Sequence, residues 1–135
     1  MEVIQIKVKT TKREEIIDIS EKITEIIRDS NIRNGICRVF VPHTTAGITI
    51  NENADYNVKK DFLFILKKLI PQSKEYLHVE GNSDSHVKAS LVGFSQTIIL
   101  QNKKLLLGTW QGVMFCEFDG PRTRRVIISL EGTGA

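Results

Sequence analysis

Apolar and polar residues alternate from Glu2 to Lys9, with Ile4, Ile6 and Val8 on one side and Gln5, Lys7 and Lys9 on the other. Successive side chains of a strand point to opposite faces, so this segment predicts a half-buried β-strand. The period then changes. Ile16, Ile19, Ile23, Ile26 and Ile27 recur at helical spacing between charged residues, which predicts one helix over residues 11–29. Thr10 or Thr11 can cap its start, and Glu14 and Glu15 suit the positive end of its dipole. Asn34-Gly35 supplies the turn that follows. Residues 36–41 form an apolar run that Pro42 ends or bends, and residues 47–51 read as another strand, with Ile48 and Ile50 facing one way. Residues 53–70 predict a second helix with Val58, Phe62, Ile65, Leu66 and Leu69 as its buried stripe, stopped by Pro71.

The segment from 71 to 84 is polar and rich in turn formers, and residues 85–91 have room for a short helical turn. Residues 96–100, 104–107, 112–118 and 124–130 read as four antiparallel strands. Asn102-Lys103 and Asp119-Gly120-Pro121 make the tighter turns. The expected order is β-α-β-β-α, a long loop, then ββββ. Strands and helices do not alternate as a doubly wound sheet requires. The expectation is therefore an α+β fold, one domain over 1–135. It is largely antiparallel sheet or sandwich, with about seven to eight strands and two main helices on one face or edge.

Composition narrows the function only a little. The 135 residues are 41% hydrophobic and 26% charged, with a formal net charge of +3. A nucleic-acid binder would show a denser basic stripe with interleaved aromatics, so no nucleic-acid partner is expected. The densest basic cluster, Arg122-Thr123-Arg124-Arg125, alternates within a predicted strand and reads as an exposed face or an anion-binding patch. Residues 1–9 carry no long apolar core, so no signal peptide is expected. No apolar run approaches the ~20 residues that cross a bilayer, so no membrane partner is expected either. Cys37 and Cys116 stand alone in apolar runs and read as buried thiols of a reducing compartment, the cytoplasm.

All three histidines sit in two short polar motifs. His43 precedes Thr44 and Thr45 in a bend after Pro42. Rigid backbone on both sides suits a ligand or a general base there, and the hydroxyls can hold a phosphate or orient a water; an ordinary surface loop uses the same residues. His78 and His86 bracket Glu80, Gly81, Asn82, Ser83, Asp84 and Ser85. Gly81 permits a sharp turn that lets both ends converge, and the spacing matches no standard metal motif. Three imidazoles with carboxylates nearby are what a three-ligand metal centre needs, and acid–base pairs and anion sites use the same set. The only tryptophan, Trp110, lies between Gly108 and Gly112, which allow close approach of a ligand or a neighbouring backbone.

These residues resemble the YjbQ-like family of small proteins, credited with a secondary thiamine-phosphate synthase activity. The resemblance spans nearly the whole chain. It rests on His43-Thr44-Thr45-Ala46-Gly47-Ile48, Asn51-Glu52, Asp55, Asp61, and His78 through His86 with Glu80, Gly81, Asn82 and Asp84. It rests also on Gly108-Thr109-Trp110-Gln111 and on Glu117, Asp119, Gly120, Pro121 and Arg122. Ser83 stands where the family often has aspartate. The resemblance implies a homotrimer whose cavities, lined by the histidine motifs, hold a metal or an anion. The implied reaction joins a pyrimidine diphosphate to a thiazole phosphate, as a side activity.

Two expectations follow. One is an enzyme acting on a small phosphorylated molecule: His43, His78 and His86 bind a divalent metal, zinc first, or share acid–base work with Glu80 and Asp84, while Thr44, Thr45, Arg122 and Trp110 hold the substrate. The other is a non-catalytic trimer that binds a metal or a small ligand.

Overall fold

The computed structural model describes residues 1–135. Its elements run β1 (Glu2–Lys9), β2 (Glu15–Asp18), α1 (Ser20–Asp29), β3 (Asn34–Phe40), β4 (Ala46–Glu52), α2 (Tyr56–Leu69), α3 (Ser83–Val92), β5 (Ser95–Gln101), β6 (Lys104–Leu105), β7 (Gln111–Glu117) and β8 (Thr123–Thr133). The strands form two antiparallel sheets, one in the order β1-β8-β3-β5-β6 and one in the order β2-β7-β4. This is the α+β, largely antiparallel architecture that the sequence pattern predicts.

The two sheets face each other across the main core. Cys37 and Val39 of β3, Ile98 and Leu100 of β5, and Val126, Ile128 and Leu130 of β8 meet Ile48, Val113 and Phe115 from the smaller sheet. Ile23 and Ile27 of α1 close one end of that core. The second face of the smaller sheet is covered too: Cys116, Phe118 and Ile16 pack against Phe62, Leu63 and Leu66 of α2 and Ala89 and Val92 of α3. Both faces of β7 are therefore buried, which is why it reads as a continuous apolar run instead of alternating.

The expected helix over residues 11–29 is shorter than its periodicity suggests. Residues 15–18 are a strand, β2, paired with Glu117 through Met114 of β7. β-Branched Ile16 and Ile17 suit either state, and pairing with an otherwise unfilled sheet edge decides it. The helix starts at Ser20, whose amide donates to Asp18 Oδ1 at 2.8 Å. Thr10 and Thr11, expected as caps, bond instead to Glu117 and Glu15. The expected short turn at 85–91 is a full helix of 10 residues, α3, so there are three helices and not two main ones. In α2, Ile65 and Leu69 of the expected buried stripe are exposed, because the helix leans on Phe62, Leu63 and Leu66. Val113, Phe115 and Leu130 are wholly buried in this chain's own core.

The Asn102-Lys103 turn forms as expected. Both residues take positive φ, 51° and 62°, as a two-residue hairpin requires. Lys103 Nζ then reaches the last carbonyls of α1, Arg28 O at 3.1 Å among them, where a cation complements the helix dipole.

Candidate functional site

Pairing of β3 with β8 ends at Phe40 and Ile127. Pro42, with no N–H to donate, keeps the ladder from continuing. The chain turns away towards β4 and leaves the Arg125 amide without a strand partner on that side. The His43 ring takes its place: the Arg125 amide donates to His43 Nε2 at 3.0 Å. His43 is thus fixed by the end of the sheet, and Thr44 and Thr45 follow it into the bend.

A cavity of about 450 Å³ opens there. Its walls are Pro42, His43, Thr44 and Thr45 from the β3–β4 bend, His78 and Glu80 from the α2–α3 loop, Asn82 and His86 from the start of α3, Asp119 and Arg122 from the β7–β8 connection, and Arg124 of β8. Apart from the Pro42 ring, every lining side chain is polar or charged. All three histidines reach this one space from segments far apart in sequence. The His78 and His86 rings stand edge to face, centroids 5.3 Å apart. His78 Nε2 lies 3.8 Å from Glu80 Oε2, an ion-pair distance too long for a hydrogen bond.

Beneath the cavity lies a buried ion pair. Glu117 is 0% exposed and Arg124 5%. Arg124 Nε donates to both Glu117 carboxylate oxygens, at 2.9 and 3.1 Å, and Nη2 donates to Glu117 and to Thr45 Oγ1 at 2.8 Å. Glu117 also accepts from Thr10 Oγ1 at 2.8 Å and from the Asp119 amide at 3.1 Å. Arg124 Nη1 bonds to nothing in the chain, yet the only buried side-chain atom lacking a partner is Asn82 Oδ1. Nη1 therefore opens to the cavity that Arg124 lines. Arg122, the expected anion ligand, folds back on Asp119, with Nε on its carbonyl at 2.7 Å and Nη2 on its carboxylate at 2.9 Å. Asn82 Nδ2 donates to that same carboxylate at 2.8 Å.

His43 is held mainly neutral. Burial, then the positive charges of Arg124 and Arg125, push its pKa below the usual imidazole value, with Glu117 opposing.

Two expected site residues lie elsewhere. Asp84 does not reach the cavity. It points to the opposite side of α3, wholly buried, where Lys88 Nζ donates to it at 2.9 Å and Arg13 bonds it from the β1–β2 connection. It cannot orient the histidines: Asp84 and Lys88 occupy positions i and i+4 on the inward face, and His86 lies on another. Trp110 is 62% exposed beside Asn53, whose amide donates to its carbonyl, and it is absent from the cavity wall.

The expected three-imidazole zinc centre does not assemble. No three His, Cys, Asp or Glu side chains stand in position to hold a metal ion. The cause is visible at His43, whose Nε2 lone pair is already taken by the Arg125 amide. Conversely, sequence reasoning noted Arg124 only within the basic cluster and Glu117 only within the family motif, and gave neither a role in the site. The signal was there: Arg124 shares strand parity with buried Val126, Ile128 and Leu130, whereas Arg125 shares it with the outward set.

Comparison with known proteins bears on the fold and the family. A family model described as UPF0047 protein YjbQ-like matches residues 4–133. A UPF0047 protein of Methanocaldococcus jannaschii is 55% identical over 126 residues, 93% of this chain and 91% of that protein. YugU of Bacillus subtilis is 50% identical over 128 residues, 94% and 97% of the two chains. A crystal structure of an uncharacterised YjbQ/UPF0047-family protein from Clostridium acetobutylicum superposes with a TM-score of 0.92 at 51% identity, covering 95% of this chain and 99% of that one. A hypothetical protein from Aeropyrum pernix does so at 0.93 and 34% identity, covering 98% and 99%. With its fold and nearly its full length matched, the chain belongs to the UPF0047 YjbQ-like family.

Proposed function

We propose that the cavity binds the phosphate end of a small phosphorylated metabolite and that the protein is an enzyme acting on that ligand. The observation that carries this reading is Arg124. A guanidinium held rigid by Glu117 and Thr45, with Nη1 open to a cavity whose other lining side chains, Pro42 apart, are all polar or charged, is a preorganised donor for an anionic oxygen. The carboxylates nearby do not cancel it. Glu117 is satisfied by Arg124, and Asp119 by Arg122 and Asn82, while Glu80 stands exposed at the rim. The hydroxyl of exposed Thr44 adds a donor, and Asn82 brings the positive end of α3 to the cavity edge.

The adjacent His78 and His86 rings are the groups to exchange a proton with the ligand, with Glu80 close to His78. The reaction to assay first is the one the family resemblance implies, joining a pyrimidine diphosphate to a thiazole phosphate with loss of pyrophosphate. A homotrimer belongs to the same reading. Val3, Phe40, Ile99 and Leu106 are exposed on strands β1, β3 and β5 and just after β6, where a neighbouring copy would cover them. No helix is long and apolar enough to cross a membrane, and both cysteines are free and buried, in keeping with the cytoplasm.

Calorimetric titration with inorganic pyrophosphate tests the binding claim. The parent protein binds it, and Arg122→Ala, which removes a charged donor from the wall, weakens binding about tenfold, the equivalent of roughly 1.4 kcal/mol. His86→Ala leaves the fold intact and abolishes turnover. A parent protein that takes up no pyrophosphate, or equal affinity in Arg122→Ala, contradicts the reading.

A further inference from the structure

We infer that His43 is a fixed hydrogen-bond donor of the cavity. Its ring is locked with the proton on Nδ1, presents that N–H to an acceptor oxygen of the ligand, and serves neither as a metal ligand nor as a general base. The ligand part of this inference rests on the anion-site reading above; the locked tautomer does not.

The argument is one of valence. A neutral imidazole has one N–H donor and one lone-pair acceptor. The backbone amide of Arg125 is only ever a donor, and it points at Nε2 from 3.0 Å. Nε2 must then carry the lone pair, and the proton sits on Nδ1. Nδ1 makes no bond within the chain and is not an enclosed unpaired atom, so it opens to the cavity that His43 lines. Ligation through Nδ1 would move the proton to Nε2 and set it against the amide hydrogen. Ligation through Nε2 would break the hydrogen bond from the Arg125 amide and leave that N–H at the end of the β8 ladder unpaired. Protonating the ring fully would do the same, and would add a positive charge beside Arg124 and Arg125. Burial and those two guanidiniums already disfavour the charged ring.

The consequence is a division of labour among three histidines that the sequence presents as equivalent. His43 offers a neutral donor beside Arg124 Nη1, and together they select an oxygen anion. Proton exchange falls to His78 and His86. His43 contributes direction without charge, so the cavity adds acceptor geometry to the positive charge of Arg124.

The chain has only three histidines, so, labelled with ¹⁵N-histidine, it gives three imidazole spin systems. At neutral pH and without ligand, the His43 ring is expected to show a protonated, pyrrole-type Nδ1 and a pyridine-type Nε2. Addition of zinc alone should leave both nitrogens unchanged. A protonated Nε2, a rapidly averaging tautomer mixture, or a zinc-dependent change at either His43 nitrogen overturns the assignment. Two variants test the donor role. In His43→Asn the side-chain amide nitrogen takes the position of Nδ1 and keeps a donor. In His43→Gln the longer side chain reaches the Arg125 amide but offers no donor at Nδ1. Pyrophosphate affinity should fall no more than about threefold in His43→Asn and about tenfold in His43→Gln; the reverse order overturns the donor role. The tautomer is read in the ligand-free protein, so it stands or falls whether or not pyrophosphate binds, whereas failure of the parent to bind pyrophosphate removes the anion-site reading.

Discussion

Glu117→Gln is the sharpest probe of how the cavity floor is built. The substitution keeps the shape of the side chain and removes its charge. Glu117 is 0% exposed, and Arg124 above it is 5% exposed. In the variant Arg124 loses its only counter-ion within hydrogen-bond reach, and one side-chain NH₂ confronts guanidinium N–H groups that had an acceptor. Leaving one charge of a buried pair uncompensated costs about 3–5 kcal/mol. For a chain of this length that is a fall in Tm of roughly 10–20 °C. Thermal unfolding followed by circular dichroism reads it directly. The double variant Glu117→Leu/Arg124→Met supplies the control, because replacing both charges by apolar groups is often close to neutral. Thr10 Oγ1 and the Asp119 amide then lose an acceptor, at about 1–3 kcal/mol each, so recovery is partial. The double variant should lose at least about 2 kcal/mol less than the sum of Glu117→Leu and Arg124→Met. A Glu117→Gln protein within about 2 °C of the parent, or strictly additive singles, would refute the buried, mutually dependent pair.

Three further outcomes follow from other parts of the fold. Asp84→Asn strands buried Lys88 with Glu14 alone, and should cost about 3–5 kcal/mol in urea unfolding while leaving the cavity wall in place. Burial alone would raise the Asp84 pKa, but Lys88 and Arg13 outweigh it and hold it low. Its contribution is therefore complete above the unfolded value of about 3.9 and is lost as pH falls below that, a loss absent in Asp84→Asn when Tm is measured from pH 5 downward. Gly47→Ala would set a Cβ 2.7 Å from the Gly93 carbonyl, backbone against backbone, and should destabilise by about 1–3 kcal/mol in the same assay. Burial pushes the Cys37 thiol up to about 11 and Cys116 to about 12, so neither should react with a thiol reagent at neutral pH until the protein unfolds; prompt labelling of the native protein would show that these strands open.

The sequence carries the strands well because their periodicity is local. Residues 2–9 alternate with one face buried, and the structure finds them as a strand with those bounds. Residues 15–18 mislead because Ile16 and Ile17 continue a helical spacing, while the deciding interaction, pairing with β7, comes from residues 114–117. At the site, the polar motifs carry His43, His78 and His86 into one cavity wall, since each sits in a connection or in the first turn of a helix. Their roles are less legible. Whether His43 can take a metal depends on the Arg125 amide, a backbone group with no sequence signature, exposed only because β3 stops short of it. Asp84 looks like a partner for His86 by proximity in sequence, but helical geometry turns it towards Lys88, four residues on. Arg124 could be read from strand parity. Its buried partner Glu117 could not, because an acidic residue ending an apolar strand more often faces water.

The most direct test of the anion cavity is a residue-resolved map of pyrophosphate binding by ¹H–¹⁵N spectroscopy of the uniformly labelled protein. A second polar cavity, lined by Arg13, Lys67 and Lys88 among others, offers the competing destination for an anion. The account predicts saturable shifts at the amides of His43, Thr44, Thr45 and Arg125 and at the side-chain amide of Asn82, with Arg13, Lys67 and Lys88 unmoved. Shifts centred on Arg13, Lys67 and Lys88, or no saturable shifts at all, would contradict it.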